Sequence, residues 1–238
     1  MKKFPITPIF IPANKLNYIE KAIKHQADGI IFDLEDAVPI SEKETARKNL
    51  FNFLSNNSLK ITSYIRINDL NDINGRSDLN LFKSLDCKII IPKIETKEVL
   101  KNVPDNISTI PLIETPLAIK NLEGIASSSS IFGLMFGAAD YSAAVGSDMS
   151  WEALLYARSK IIIECAINNL FSIDSPFMIT SSQEELEREC KLSKSIGFNS
   201  KAAINPSQIN VIKNYFLPTD DEIMEAQEII KEFNKSEK

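Results

Sequence analysis

The chain has 238 residues, 44% of them hydrophobic and 25% charged, with a formal charge of −5 and a pI near 5.1. That length can bury a large core and suits one domain spanning residues 1–238, and the composition excludes disordered or fibrous architectures. Scattered lysines give no concentrated basic face, which argues against nucleic acid as a partner.

The opening MKKFPITPIFIP is basic, but three prolines interrupt its apolar part, so it does not read as a signal peptide. No segment approaches a membrane span. Cys87, Cys165 and Cys190 are too few and too far apart for a disulfide framework or a CxxC zinc site, and they read as reduced thiols. The expected location is cytoplasmic.

Along the chain, short β-branched runs at 8–12, 29–34, 61–68, 88–94, 108–113, 131–136, 172–178 and 200–204 read as strands. Between them, segments of helical period fall at 16–25, 42–54, 77–85, 151–169 and 183–194, with a further helix at 220–233. Ser41 followed by Glu44, and Ser182 followed by Glu185, read as capped helix starts. Pro92 and Pro111 interrupt two of the strands, where each would remove a ladder hydrogen bond, so bulges or terminations are expected there. Eight βα alternations predict an α/β fold, a (βα)8 TIM barrel with an additional C-terminal helix; a doubly wound open sheet is the alternative.

The strand assignments gather the polar residues at one end. Glu35 and Asp36 follow the second strand, Arg66 ends the third, Lys93 and Glu95 the fourth, Glu114 the fifth, and Asp140 follows the sixth. In a barrel this is the face where active sites are built. Any one of these could be a helix cap or a structural ion pair; their coincidence on one face is what points to a site. His25, the sole histidine, sits near the end of the first helix as a surface or C-terminal residue. No Ser-His-Asp set, GxSxG elbow, P-loop or GxGxxG is present. Oxygen chemistry remains. Two carboxylates such as Glu114 and Asp140 suit Mg²⁺, and an adjacent Arg suits a substrate carboxylate.

IFDLEDAVP, YIRIN, IPKIET, PLIETPLAI, FGAADYSAAVG and KAAINPSQI, in this order, resemble the citrate lyase beta-subunit and malyl-CoA lyase family of metal-dependent C–C lyases. The resemblance implies a barrel of the phosphoenolpyruvate/pyruvate-binding type, trimeric or hexameric, that uses Mg²⁺ bound by Glu114 and Asp140. It further implies that Arg66 holds the carboxylate of a 2-oxo acid such as oxaloacetate, glyoxylate or pyruvate, with the backbone at Ala138, Ala139 and Asp140 completing that site. Glu35 and Asp36 would be the acid/base or water-ordering pair, with Lys93 nearby and Asp33 mainly structural. The implied reaction cleaves or forms a 3-hydroxy acyl-CoA or a hydroxy-oxo acid, giving the 2-oxo acid and an acyl enolate. A related aldolase branch carries a His where this chain has Asp36.

The chain departs from the family pattern at Ala13, Ala139, Ala144 and Asn205, and at the Pro5-Ile6-Thr7 region in place of a basic residue. It is also expected to lack the C-terminal extension of the longer CoA lyases. These departures fall on the CoA and lid half of the site, so CoA use stays open. A thioester hydrolase and a non-catalytic divergent subunit are the alternative readings.

Overall fold

A computed structural model describes residues 4–179 and 182–236. Its strands are β1 (Pro8–Pro12), β2 (Gly29–Asp33), β3 (Thr62–Arg66), β4 (Lys88–Ile91), β5 (Thr109–Ile113), β6 (Gly133–Phe136), β7 (Phe171–Asp174) and β8 (Ser200–Lys201). All pair in parallel, in the order β1 to β8. The ring is drawn together where Ala203 bridges to Ile9: Phe10 N–H donates to Ala203 O and Ala203 N–H to Pro8 O, each at 2.9 Å. Helices flank the strands, so the expected TIM barrel is the observed fold, with the helix Asp220–Ser236 added at the C-terminal end.

Both faces of the strands are buried, as parallel barrels require. Alternation separates the two cores. Phe10, Ile31, Tyr64, Ile90, Leu112, Met135, Ile173 and Ala202, one per strand or strand end, pack together inside the barrel. Their neighbours, such as Ile30, Phe32, Ile89, Ile91 and Leu134, pack outward under the helices. At the barrel's N-terminal end Phe4, Phe132 and Phe171 form an aromatic floor, with the Phe4 and Phe171 rings stacked at 4.4 Å.

Several strands end earlier than the sequence suggests: β3 at Arg66 rather than 68, β4 at Ile91 rather than 94, β7 at Asp174 rather than 178 and β8 at Lys201 rather than 204. Beyond those points the chain leaves the ladder to make loops at the barrel mouth. Pro92 terminates β4. Pro111 stays inside β5 and marks a bulge: Thr109 opposes Ile131 whereas Leu112 opposes Met135, so β6 gains one residue across it.

The predicted helix starts fare differently. Ser182 accepts from Glu185 N–H and caps Gln183–Ile196 as expected. Ser41 does not cap. Pro39 leads instead into a short 3₁₀ turn, Ile40–Glu42, and Lys43–Asn56 follows with no side-chain cap, while Glu44 pairs with exposed Lys48. The helix expected at 77–85 begins earlier, at Ile73–Phe82, where Asp72 accepts from Asn74 N–H. Among the described residues, no helix is long and apolar enough to cross a membrane.

Candidate active site at the barrel mouth

Two residues beyond each inward-facing core side chain lies a second inward layer: Pro12, Asp33, Arg66, Pro92, Glu114, Gly137, Ser175 and Ile204. All but Pro92 line one cavity of ≈ 410 Å³ at the C-terminal end of the barrel, within the usual range for small-molecule sites. Asp36, Ala138, Ala139 and Asp140 also line it. Glu35, Lys93 and Glu95 do not, although Glu35 and Lys93 pair just behind the wall.

Arg66 organises one side. Its Nε donates to Asp33 Oδ1 at 2.8 Å and Nη2 to Oδ2 at 2.6 Å, a bidentate pair between adjacent rungs of β2 and β3. Nη1 lies 3.1 Å from Glu35 and 3.6 Å from Asp36, whose side chain is 63% exposed. Burial opposes the Arg66 charge, but Asp33, Glu35 and Asp36 outweigh it and raise the pKa. Asp33 therefore does more than hold structure: it fixes the guanidinium and itself faces the cavity. It also accepts from Glu35 N–H and Ala37 N–H, shaping the loop that carries Asp36.

Glu35 is buried. Desolvation raises its pKa and Asp36 adds to the shift, while Arg66 and Lys93 oppose it. Lys93 Nζ sits 3.2 Å from Glu35, and Lys93 itself occupies a left-handed backbone conformation with φ of 55°. That turn aims its N–H at Glu114 Oε1, 2.7 Å away.

Glu114 is the most perturbed carboxyl facing the cavity. Burial first, then the negative charges of Glu35 and Asp140, push it up to about 8, against the Lys93 N–H. Its Oε2 is buried without a hydrogen-bond partner. Gly137 makes room for it, since a Cβ there would stand 2.5 Å from Glu114 Cβ. Two adjacent carboxyls opening on a cavity match the donor set of a hard divalent cation that takes its remaining ligands from water and substrate. Among the described residues, no group of three or more His, Cys, Asp or Glu side chains could hold a metal.

The raised Glu114 pKa has a consequence for the metal-free protein. Between its ordinary value of 4.5 and about 8, the native state holds a proton that the unfolded chain has released, so stability declines as pH rises through that window. Urea midpoints should fall from pH 5 to pH 8, by a free energy on the order of 4 kcal/mol at most. Glu114→Gln should flatten the profile; a wild-type midpoint that is constant over this range contradicts the assignment.

Two supporting networks lay outside the sequence reading. Lys43 Nζ donates to Leu34 O (3.2 Å), Glu35 O (2.8 Å) and Asn68 Oδ1, tying the ends of β2 and β3 together. Asn68 in turn donates to Asp78, which pairs with Arg47. On the opposite side, Arg158 and Lys201 are 1% and 0% exposed and share Asp174 and Glu189. Arg158 also stacks on Trp151 and Phe136. A lysine in an otherwise apolar strand, in SKAAI, was the available signal. His25, by contrast, is where it was expected, at the C-cap of the helix Tyr18–Lys24.

Residues 7–206 match the family described as HpcH/HpaI aldolase/citrate lyase. The citrate lyase subunit beta of Haemophilus influenzae is 29% identical over 242 residues, covering 94% of this chain and 83% of that protein. A (3S)-malyl-CoA thioesterase of Cereibacter sphaeroides is also 29% identical, covering 97% of this chain and 83% of its own. Among solved structures, a citrate lyase beta subunit from M. tuberculosis, complexed with oxaloacetate and magnesium, superposes with a TM-score of 0.80. It is 26% identical, and the match covers 89% of this chain and 96% of that one.

Proposed function

The chain belongs to the HpcH/HpaI aldolase/citrate lyase family, and from that premise we propose that it is a Mg²⁺-dependent carbon–carbon lyase producing, or condensing, a 2-oxo acid. The observation that carries the proposal is the buried, unpartnered Oε2 of Glu114 beside Asp140, on the same cavity as Arg66. Glu114 and Asp140 would hold the cation. When bound, Mg²⁺ would supply Lewis-acid polarisation of a hydroxyl or oxo oxygen.

The chain's own groups account for the remaining steps. Arg66, immobilised along one edge by Asp33, keeps its Nη1 side toward the loop of Asp36, where a substrate carboxylate can pair with it. Backbone N–H groups at Ala138, Ala139 and Asp140 open the helix Ala138–Val145 and add a favourable end for an anion. Asp36, on the cavity wall, is placed to take the substrate hydroxyl proton. Glu35 behind it fixes both Arg66 and Lys93. As the proton leaves, the C–C bond breaks, leaving the 2-oxo acid and an enolate that a proton then quenches.

Thermal shift with oxaloacetate, pyruvate and glyoxylate, each with and without Mg²⁺, tests this reading. An oxo acid should raise the Tm only when Mg²⁺ is present, and Glu114→Ala should abolish the effect. No response to any combination overturns the enzyme reading. The thioesterase relative supports a second reading, hydrolysis of an acyl-CoA on the same scaffold. Incubating acyl-CoA with the preferred oxo acid separates them: a new C–C product marks the lyase, whereas free CoA alone marks the thioesterase.

A further inference from the structure

We propose that Lys93 is a positioning residue for the divalent cation and acts through its backbone: its left-handed turn fastens Glu114 Oε1 and leaves Oε2 as the oxygen offered to the metal. The proposal rests on the Mg²⁺ reading of the same site and concerns what orients the ligand there.

Among the described residues, three non-glycine positions have a positive φ: Gln26, Lys93 and Asn169. Gln26 and Asn169 follow the last turns of the helices Tyr18–Lys24 and Trp151–Asn168, where a left-handed residue is an ordinary way to stop. Lys93 has no helix before it. It lies two residues beyond the end of β4, after Pro92, and a lysine is disfavoured in that conformation. Such a residue persists only where its surroundings over-determine it. Two bonds to the segment around β5 do so here. Lys93 N–H donates to Glu114 Oε1 at 2.7 Å, and Asn121 Nδ2 donates to Glu95 O at 2.9 Å.

Glu114 directly follows β5 and is set from both neighbouring strands. The end of β4 supplies the N–H. The end of β6 supplies room: Gly137 has a φ of −104° that suits any residue, but a Cβ there would stand 2.5 Å from Glu114 Cβ and 2.9 Å from Oε2. Space, not conformation, demands glycine at that position. With Oε1 tethered and Oε2 buried without a partner, the carboxylate cannot exchange its two oxygens without breaking the bond to Lys93. Hydrogen bonds of this kind, made from behind a ligand, orient it for the metal. The two halves of Lys93 thus have separate tasks, since its ammonium, on a side chain 49% exposed, lies 3.2 Å from Glu35.

Calorimetric titration of Mg²⁺ into the metal-free wild type and into Lys93→Gly, Lys93→Asn and Lys93→Val tests the proposal. All three variants lack the ammonium, so differences among them report the backbone alone. Glycine and asparagine accept the left-handed region, whereas β-branched valine does not. The glycine and asparagine variants should bind Mg²⁺ within about threefold of one another, and Lys93→Val about 10–100-fold more weakly than either. Equal affinity in all three overturns the proposal. So does a loss of about tenfold or more in Lys93→Gly relative to wild type, which assigns the effect to the ammonium. Should circular dichroism show that Lys93→Val does not fold, the glycine variant decides: affinity kept near wild type upholds the backbone role, and the same tenfold loss overturns it. A wild type that binds no Mg²⁺ overturns the metal reading itself, and this proposal with it.

Discussion

Asp174→Ala should lower the free energy of unfolding by about 3–5 kcal/mol, the cost of stripping a partner from buried charges. Asp174 ends β7, is 0% exposed, and accepts from Arg158 Nε at 3.0 Å and from Lys201 Nζ at 2.9 Å. Burial would raise its pKa, yet Arg158 and Lys201 together hold it down to about 2. Its contribution is thus fully present above its ordinary value of 3.8 and is lost as pH falls toward 2. Alanine leaves two cations in the interior with Glu189 as their shared counter-charge. Urea unfolding at neutral pH measures the effect. A loss below about 1 kcal/mol would mean that the network relaxes around the gap, and that Asp174 is not its keystone.

The second large effect is expected on activity. Arg66→Lys should retain the fold but reduce kcat/KM for the C–C reaction by about 10²–10³-fold, in line with losing one aligned donor from a charge-stabilising site. Lysine keeps the charge but cannot reproduce the two parallel bonds to Asp33 while presenting a further edge to substrate. The loss should appear in both KM for the oxo acid and kcat, because in the proposed reaction the same group would bind the carboxylate in the ground state and steady charge afterwards. Steady-state kinetics alongside circular dichroism checks this; activity within about fivefold of wild type removes Arg66 from the substrate site.

Much of this arrangement is visible in the sequence because a strand has a period of two. Once Ile31, Tyr64 and Leu112 are placed inward, Asp33, Arg66 and Glu114 follow two residues later at the mouth. Applied consistently, the same alternation would have moved Asp33 onto the cavity wall instead of leaving it as a structural acid. Short helices such as Lys97–Leu100 and Pro116–Lys120 escaped because four or five residues complete little more than one turn and show no apolar period. Arg158 escaped for another reason. In the helix Trp151–Asn168 an arginine reads as a solvated charge, and nothing local announces that it turns inward to a carboxylate 16 residues later. Ser41 fits a capping signature, but Pro39 had already set the local backbone for a tighter turn.

Lys43 gives the barrel mouth a cooperative hinge. Its single ammonium holds carbonyls at the end of β2 and the Asn68 side chain beyond β3, while Leu34 N–H donates to Arg66 O. Neither loop can fray without breaking bonds that belong to the other. Native-state hydrogen exchange at the two loop bases should accordingly report one shared opening free energy, so that the acidic loop and the arginine strand breathe as a unit.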